Sequence, residues 1–214
     1  MGITDTAIED IYPLSPMQEG LLFHALYEAD REAYLLQFGC RLTDQLDVAA
    51  LRAAWQGVVD RHAALRTSFH WSELDRPLQV VYRSVALPWE EHDWSGVPPE
   101  AVPDRIAAFL KEDRARGFAP EQPPLMRFAL VRLTGDTHYF CWSLHHLLMD
   151  GWCFPVVFGE VMAHYEAALR GTPLRLPPVR PYRDYVAWLE RQDRDRAESF
   201  WKAELDGLRA PTTL

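Results

Sequence analysis

Cysteine is scarce in this sequence. Cys40, Cys141 and Cys153 are the three among 214 residues, an odd number with no pair at Cys-x-x-Cys spacing. That excludes a disulfide framework or a structural zinc knot as the organising principle, and a reducing cytoplasmic setting is the expectation. Long apolar runs are missing as well. No window approaches 18 uninterrupted apolar residues, so no membrane span is expected. The opening segment, Met1 to Pro16, is acidic and polar and lacks the basic-then-apolar order of a secretory signal. Gly2 after Met1 is not read as an acylation site. There is no Lys/Arg run, and the formal net charge is −9, which argues against nucleic acid or an anionic membrane as partner. A Gly-x-Ser-x-Gly elbow, a phosphate-binding Walker loop, a Gly-x-Gly-x-x-Gly turn and a His-Glu-x-x-His zinc pair are all absent. Serine-hydrolase, P-loop, dinucleotide-binding and metalloprotease readings thereby lose their usual support.

What is present is core material in alternating helical and strand patterns, which predicts an α/β or α+β domain with a sheet flanked by helices. Ser15-Pro16 has the form of a helix start, with Ser15 as N-cap. Met17, Leu21, Leu22 and Leu26 follow at helical spacing, which predicts a core face. Residues 34–42 read as a strand. Asp47 caps a second helix with Leu51, Trp55, Val58 and Val59 on one face. Residues 65–71 and 78–82 read as a strand pair, and 98–116 as an amphipathic helix carrying Val102, Ile106 and Phe109. Residues 125–133 and 138–144 read as an antiparallel hairpin. A helix is expected over 152–169. Four prolines in 171–182 exclude regular structure there. One helix is expected over 184–208, carrying Tyr185, Trp188, Leu189, Phe200, Trp201 and Leu205. The final residues, 210–214, read as a linker. The expected organisation is a lobe over 1–170, a proline-rich connector over 171–182, and a helical segment over 183–214.

The stretch with chemical content is His145-His146-Leu147-Leu148-Met149-Asp150-Gly151-Trp152. A strand delivers two adjacent histidines into a loop that Asp-Gly closes before a helix. Neighbours at a strand end face opposite ways, so one imidazole can enter a cleft while the other packs inward. A neutral imidazole suits proton abstraction near neutral pH. Asp150 can orient the loop or pair with a cation, and Gly151 admits backbone angles that other residues resist. On spacing alone two ordinary packed histidines are the commoner reading, with catalysis the alternative. Metal binding is disfavoured, because adjacent His side chains diverge.

His-His-x-x-x-Asp-Gly-Trp resembles the core motif of nonribosomal peptide synthetase condensation domains. Three more segments resemble that family in the right order: Tyr12-Pro13-Leu14-Ser15-Pro16-Met17-Gln18-Glu19-Gly20, then Arg61-His62-Ala63-Ala64-Leu65-Arg66-Thr67-Ser68-Phe69, then Tyr182-Arg183-Asp184-Tyr185. The resemblance implies a chloramphenicol acetyltransferase-like lobe, the N-terminal one of two that form a V around a tunnel. It implies peptide-bond formation between an acceptor amine and a donor thioester. Both substrates then ride on phosphopantetheine arms of carrier proteins, with no cofactor bound directly. The implied partners are donor and acceptor peptidyl carrier proteins, the domain's C-terminal lobe and an adjacent adenylation domain. By resemblance His146 is catalytic, Gly151 offers its N–H to an oxyanion, His145 holds the loop, and Asp150 pairs with Arg66. Trp152, Tyr182, Gln18 and Glu19 are read as scaffold. The Pro-Met-Gln-Glu-Gly opening resembles variants that take a donor ending in a D-residue. Alternatives are an epimerisation domain of the same fold, an acyltransferase acting on soluble thioesters, and a non-catalytic docking module. A lobe alone cannot enclose two thioesters, so the chain by itself is expected to be inactive.

Overall fold

A computed structural model describes residues 7–27 and 34–210. Gly2 and the last four residues of the expected linker lie outside the described residues. The first strand, β1 (Ile8–Pro13), leads into helix α1 (Pro16–Tyr27). Ser15 and Gln18 form a reciprocal cap there. The Gln18 N–H donates to Ser15 Oγ at 3.3 Å, and the Ser15 N–H donates to Gln18 Oε1 at 3.0 Å. Strand β2 (Leu35–Leu42) precedes α2 (Val48–Arg61), whose N-terminus is held by Asp47 accepting from the Ala50 N–H at 2.9 Å. A 3₁₀ turn over Ala63–Arg66 leads to β3 (Thr67–His70), β4 (Leu78–Tyr82) and β5 (Trp89–Asp93). Then come α3 (Val102–Arg116), β6 (Met126–Arg132) and β7 (His138–His145). A second 3₁₀ turn, Gly151–Cys153, opens onto α4 (Phe154–Arg170), and α5 (Tyr182–Leu189) and α6 (Arg194–Glu204) complete the order.

The strands form two sheets. One is a three-stranded antiparallel sheet in the order β1-β4-β3. The other is four-stranded and mixed, in the order β2-β7-β6-β5, with only the β5–β6 pair parallel. Strand alternation sorts the central strand β7 onto two faces. Phe140, Trp142 and Leu144 join the main core with Trp55, Phe128, Met126 and Phe69. Tyr139 and Val131 turn to a smaller cluster with Trp94, Val102, Leu133, Ile106 and Phe109. Both faces of the sheet are covered, which is why 125–133 carries an almost continuous apolar run. In the main core Trp55 of α2 lies within 4.8 Å, centroid to centroid, of both Phe128 and Trp142. Helices α2 and α4 pack closely enough that a Cβ on Gly57 would meet the His164 ring at 2.8 Å, so a larger residue there requires that ring to move.

The expected hairpin, the 98–116 helix and the Asp47-capped helix match the structure. Strands β1 and β5 were not expected. Both are acidic at several positions (Glu9 and Asp10 in β1; Glu90, Glu91 and Asp93 in β5) and lie at sheet edges, where polar strands are tolerated. The expected helix over 184–208 is two helices. Asp193 restarts the second, accepting from the Arg196 N–H at 2.9 Å. Its apolar residues Phe200, Trp201 and Leu205 are exposed rather than packed. Met17 is also not core: its side chain is 74% exposed, whereas Leu22 of the same helix is buried. Polar Gln18 takes the inward position instead, because its amide finds partners across the core.

Candidate active site

The two histidines part as strand alternation requires. His145 ends β7 pointing inward at 4% exposure. Its Nδ1 accepts the Leu147 N–H at 3.1 Å. Burial, and then the neighbouring His146, push its pKa down from 6.5 to about 4. It is therefore a neutral, structural imidazole near pH 7. His146 turns the other way and lines a cavity of about 720 Å³. Its backbone N–H donates to the Tyr34 carbonyl at 2.8 Å. Tyr34 itself sits at φ 63°, in the left-handed region that a bulky residue enters only under constraint.

The cavity has a mainly apolar wall. Met17 and Leu21 of α1 form one side, Val156 and Val157 of α4 another, and Leu148, Met149 and Trp152 come from the loop between them. Polar groups are few: His62, His146, Asp150, Ser15, Gln18, Tyr34 and Tyr182. Three residues expected to be scaffold, Gln18, Trp152 and Tyr182, thus line the cavity. Trp152 is 89% exposed and lines the opening rather than packing the helix start. Tyr182, the first residue of α5, donates its hydroxyl to Ser15 Oγ at 3.1 Å, which brings the helix after the connector back onto the cap of α1. Cys153 also lines the cavity. Burial raises its pKa, which keeps it a thiol and a poor nucleophile.

The loop is steadied by a different set of contacts from the one expected. Arg66 does not pair with Asp150. It is buried at 4% exposure, donates to Glu9 Oε2 at 2.8 Å, and also donates to the carbonyls of Val59 and Tyr82. The 3₁₀ turn that carries Arg66 aims it at β1 and β4, away from the loop. Asp150 is exposed and caps the turn before α4. Its Oδ1 accepts the Trp152 N–H at 3.0 Å and the Cys153 thiol at 3.4 Å. Gly151 needs no special backbone angle, since it is absent from the positive-φ glycines, and a Cβ there would meet nothing within 4 Å. It is exposed and is not among the residues lining the cavity.

The inner anchor is Gln18. Its side chain is buried, and Nε2 donates to the Leu147 carbonyl at 3.2 Å. Gln79 pairs with it, donating Nε2 to Gln18 Oε1 at 3.1 Å and to the Pro13 carbonyl at 2.9 Å. The capping box was a visible signal for this residue, but its long-range partner was not. Among the described residues no three His, Cys, Asp or Glu side chains converge closely enough to hold a metal ion, and no helix is long and apolar enough to cross a membrane.

A family model described as condensation domain matches residues 8–214. The chain belongs to the condensation domain family. A linear gramicidin synthase of Brevibacillus parabrevis is 44% identical over 210 residues, which is 98% of this chain and 4% of that protein. Bacitracin synthase 3 of Bacillus licheniformis is 38% identical over 215 residues, 98% of this chain and 3% of that protein. The solved starter condensation domain of rhizomide synthetase superposes with a TM-score of 0.77 at 23% identity, covering 95% of this chain and 50% of that one. The epimerization domain from the third module of tyrocidine synthetase B does so with a TM-score of 0.79 at 20% identity, covering 99% and 48%. At those identities the two structures speak for the fold, which matches the expected mixed α/β lobe of chloramphenicol acetyltransferase type. This condensation-domain chain spans about half the length of the solved domains and a few per cent of the synthetases that contain its curated relatives.

Proposed function

We propose that the chain is the N-terminal lobe of a condensation domain in a cytoplasmic nonribosomal peptide synthetase, and that His146 serves the acceptor amine in peptide-bond formation. The single observation carrying this reading is the position of His146. It leaves the end of β7 into a cavity of about 720 Å³ while its neighbour His145 is buried and neutral. In the proposed reaction the amine nitrogen of a carrier-bound aminoacyl thioester attacks the donor thioester carbonyl. A tetrahedral oxyanion forms and collapses, breaking the C–S bond and forming the amide. The proton lost by the amine passes to His146 and then to the departing pantetheine thiolate, so no other reactant is consumed. Tethering of both substrates to carrier proteins supplies approach geometry and effective concentration. Gly151, between the cavity-lining Asp150 and Trp152, offers its backbone N–H as a donor to that oxyanion.

The test is substitution of His146 by Ala in the intact synthetase, with dipeptidyl transfer to the acceptor carrier as readout. A fall of about 10²-fold or more is expected, and unchanged transfer would remove the proposal. The same assay with a single aminoacyl carrier, monitored for α-carbon inversion, separates condensation from epimerisation. The lobe by itself is expected to be inactive, and mixing with the second half of the domain to restore transfer.

A further inference from the structure

The cavity holds a second imidazole. His62 lies at the C-cap of α2, its backbone N–H donating to the Val58 carbonyl at 3.1 Å. It lines the same cavity as His146. Its Nε2 is 2.7 Å from Glu160 Oε2 of α4, and that same oxygen accepts from Arg61 Nε at 3.0 Å. Arg61 in turn donates to the Pro177 carbonyl of the connector. The side chains of His62 and Glu160 are only 18% and 15% exposed. Glu160 Oε2 is thus the shared acceptor of the Arg61 and His62 contacts. With Nε2 donating to Glu160, that tautomer of the ring carries its lone pair on Nδ1. Nδ1 has no hydrogen-bond partner among the described residues. The arrangement is a carboxylate-oriented imidazole, with Nδ1 as its remaining acceptor, on a residue that lines a cavity whose wall is otherwise mainly apolar.

We infer that His62, oriented by Glu160, is a substrate-binding residue that accepts an N–H of the acceptor amine and positions it for attack. This rests on the proposed condensation reading. In that reaction the acceptor amine is the reacting group that brings N–H donors into the cavity. An oriented lone pair in an apolar wall discriminates strongly for such a donor, because leaving either partner unpaired is costly.

The test uses the complete condensation domain of the parent synthetase, with aminoacyl N-acetylcysteamine thioesters as acceptors and a carrier-bound donor. His62→Gln keeps an amide N–H near the Nε2 position for Glu160 but has no acceptor at the Nδ1 position. His62→Asn places its Oδ1 near Nδ1 and forfeits the Glu160 contact. The expected result is an acceptor KM raised about tenfold in His62→Gln, with kcat within about twofold of wild type, donor KM unchanged and the same Tm. His62→Asn should recover most of the acceptor KM. Two outcomes would overturn the inference: unchanged acceptor KM in both variants, or a wild-type Gln variant beside a destabilised Asn variant, which would make the Glu160 contact purely structural. Equal rises in donor and acceptor KM would also overturn it, in favour of a contact to the pantetheine arm. His146→Ala is assayed in parallel. If that variant retains transfer, the condensation mechanism itself fails, whatever His62 does.

Discussion

Arg66 lies inside the core and donates to the carboxylate of Glu9 at 2.8 Å, tying the turn after α2 to the first strand. The guanidinium also satisfies two carbonyls, those of Val59 and Tyr82. Its partner Glu9 remains 42% exposed, so the ion pair itself is screened and modest. The cost of losing Arg66 comes mainly from the carbonyls it would orphan. Arg66→Ala is expected to lower stability by about 3 kcal/mol, measured by urea unfolding. Asp150→Ala, the loss of an exposed cap, should cost about 1 kcal/mol or less. A double-mutant cycle should find coupling between Arg66 and Glu9 and none between Arg66 and Asp150. Coupling above about 1 kcal/mol for Arg66 with Asp150 would contradict the structure.

His145 makes stability depend on pH in a defined window. Its folded pKa is depressed to about 4 from 6.5, by burial and then by His146. The unfolded state therefore binds the extra proton first as pH falls. The contribution of neutral His145 is fully present above pH 6.5 and is lost as pH drops towards 4, with a total of about 3 kcal/mol. His145→Asn, whose Oδ1 can still accept the Leu147 N–H, should flatten that part of the stability–pH profile. An unchanged slope between pH 6.5 and 4 would show that His145 is not the group responsible.

Asp113 of α3 anchors the opposite face of the sheet. It accepts from Arg127 Nε and from Ser143 Oγ, each at 2.5 Å, and from Gln37 Nε2 at 2.8 Å. Burial alone would raise its pKa, but the hydrogen bonds from Arg127, Ser143 and Gln37 outweigh it and the net shift is downward. The sign is the same as for His145, because both groups have a depressed folded pKa. The stabilisation is present above the ordinary carboxylate value and fades only as pH falls through the lower folded one. Asp113→Ala leaves the largely buried Arg127 with backbone carbonyl partners but no carboxylate, and is expected to cost about 3–5 kcal/mol. Thermal unfolding at neutral pH measures it, and a loss below about 1 kcal/mol would contradict the network's role.

Gln18 links the cap of α1 to the loop that follows His146, through the Leu147 carbonyl. Gln18→Leu keeps volume and removes both ends of that link. The expected effect is a loss of about 2 kcal/mol from the orphaned carbonyl and cap. A fall in transfer activity in the parent synthetase should exceed what the stability change explains. Activity unchanged at a temperature well below Tm would confine Gln18 to the scaffold.

Much of this molecule was legible along the chain. The hairpin of residues 125–144 announces itself by two apolar runs about a short polar turn. Asp47 is followed by an apolar stripe of the right period. The divergence of His145 and His146 follows from strand geometry alone, and the segments around Tyr12, His62, His146 and Tyr182 are all local patterns. The edge strands β1 and β5 were not legible, because their acidic residues mask strand character until a neighbouring strand supplies hydrogen bonds. The continuous helix expected over 184–208 failed for a local reason: Asp193 caps more favourably than it propagates.

Motif spacing by itself determined which imidazole pair sits on a strand end and that the fold alternates helix and sheet, since both are consequences of backbone periodicity. It could not determine side-chain partners distant along the chain. Whether Arg66 reaches Glu9 or Asp150, whether Gln18 is buried beside Leu147, and whether His62 meets Glu160 depend on where separate elements come to rest. Those contacts join residues 57, 129 and 98 positions apart. Only packing of the helices against the sheets brings such pairs within the roughly 3 Å that a hydrogen bond demands.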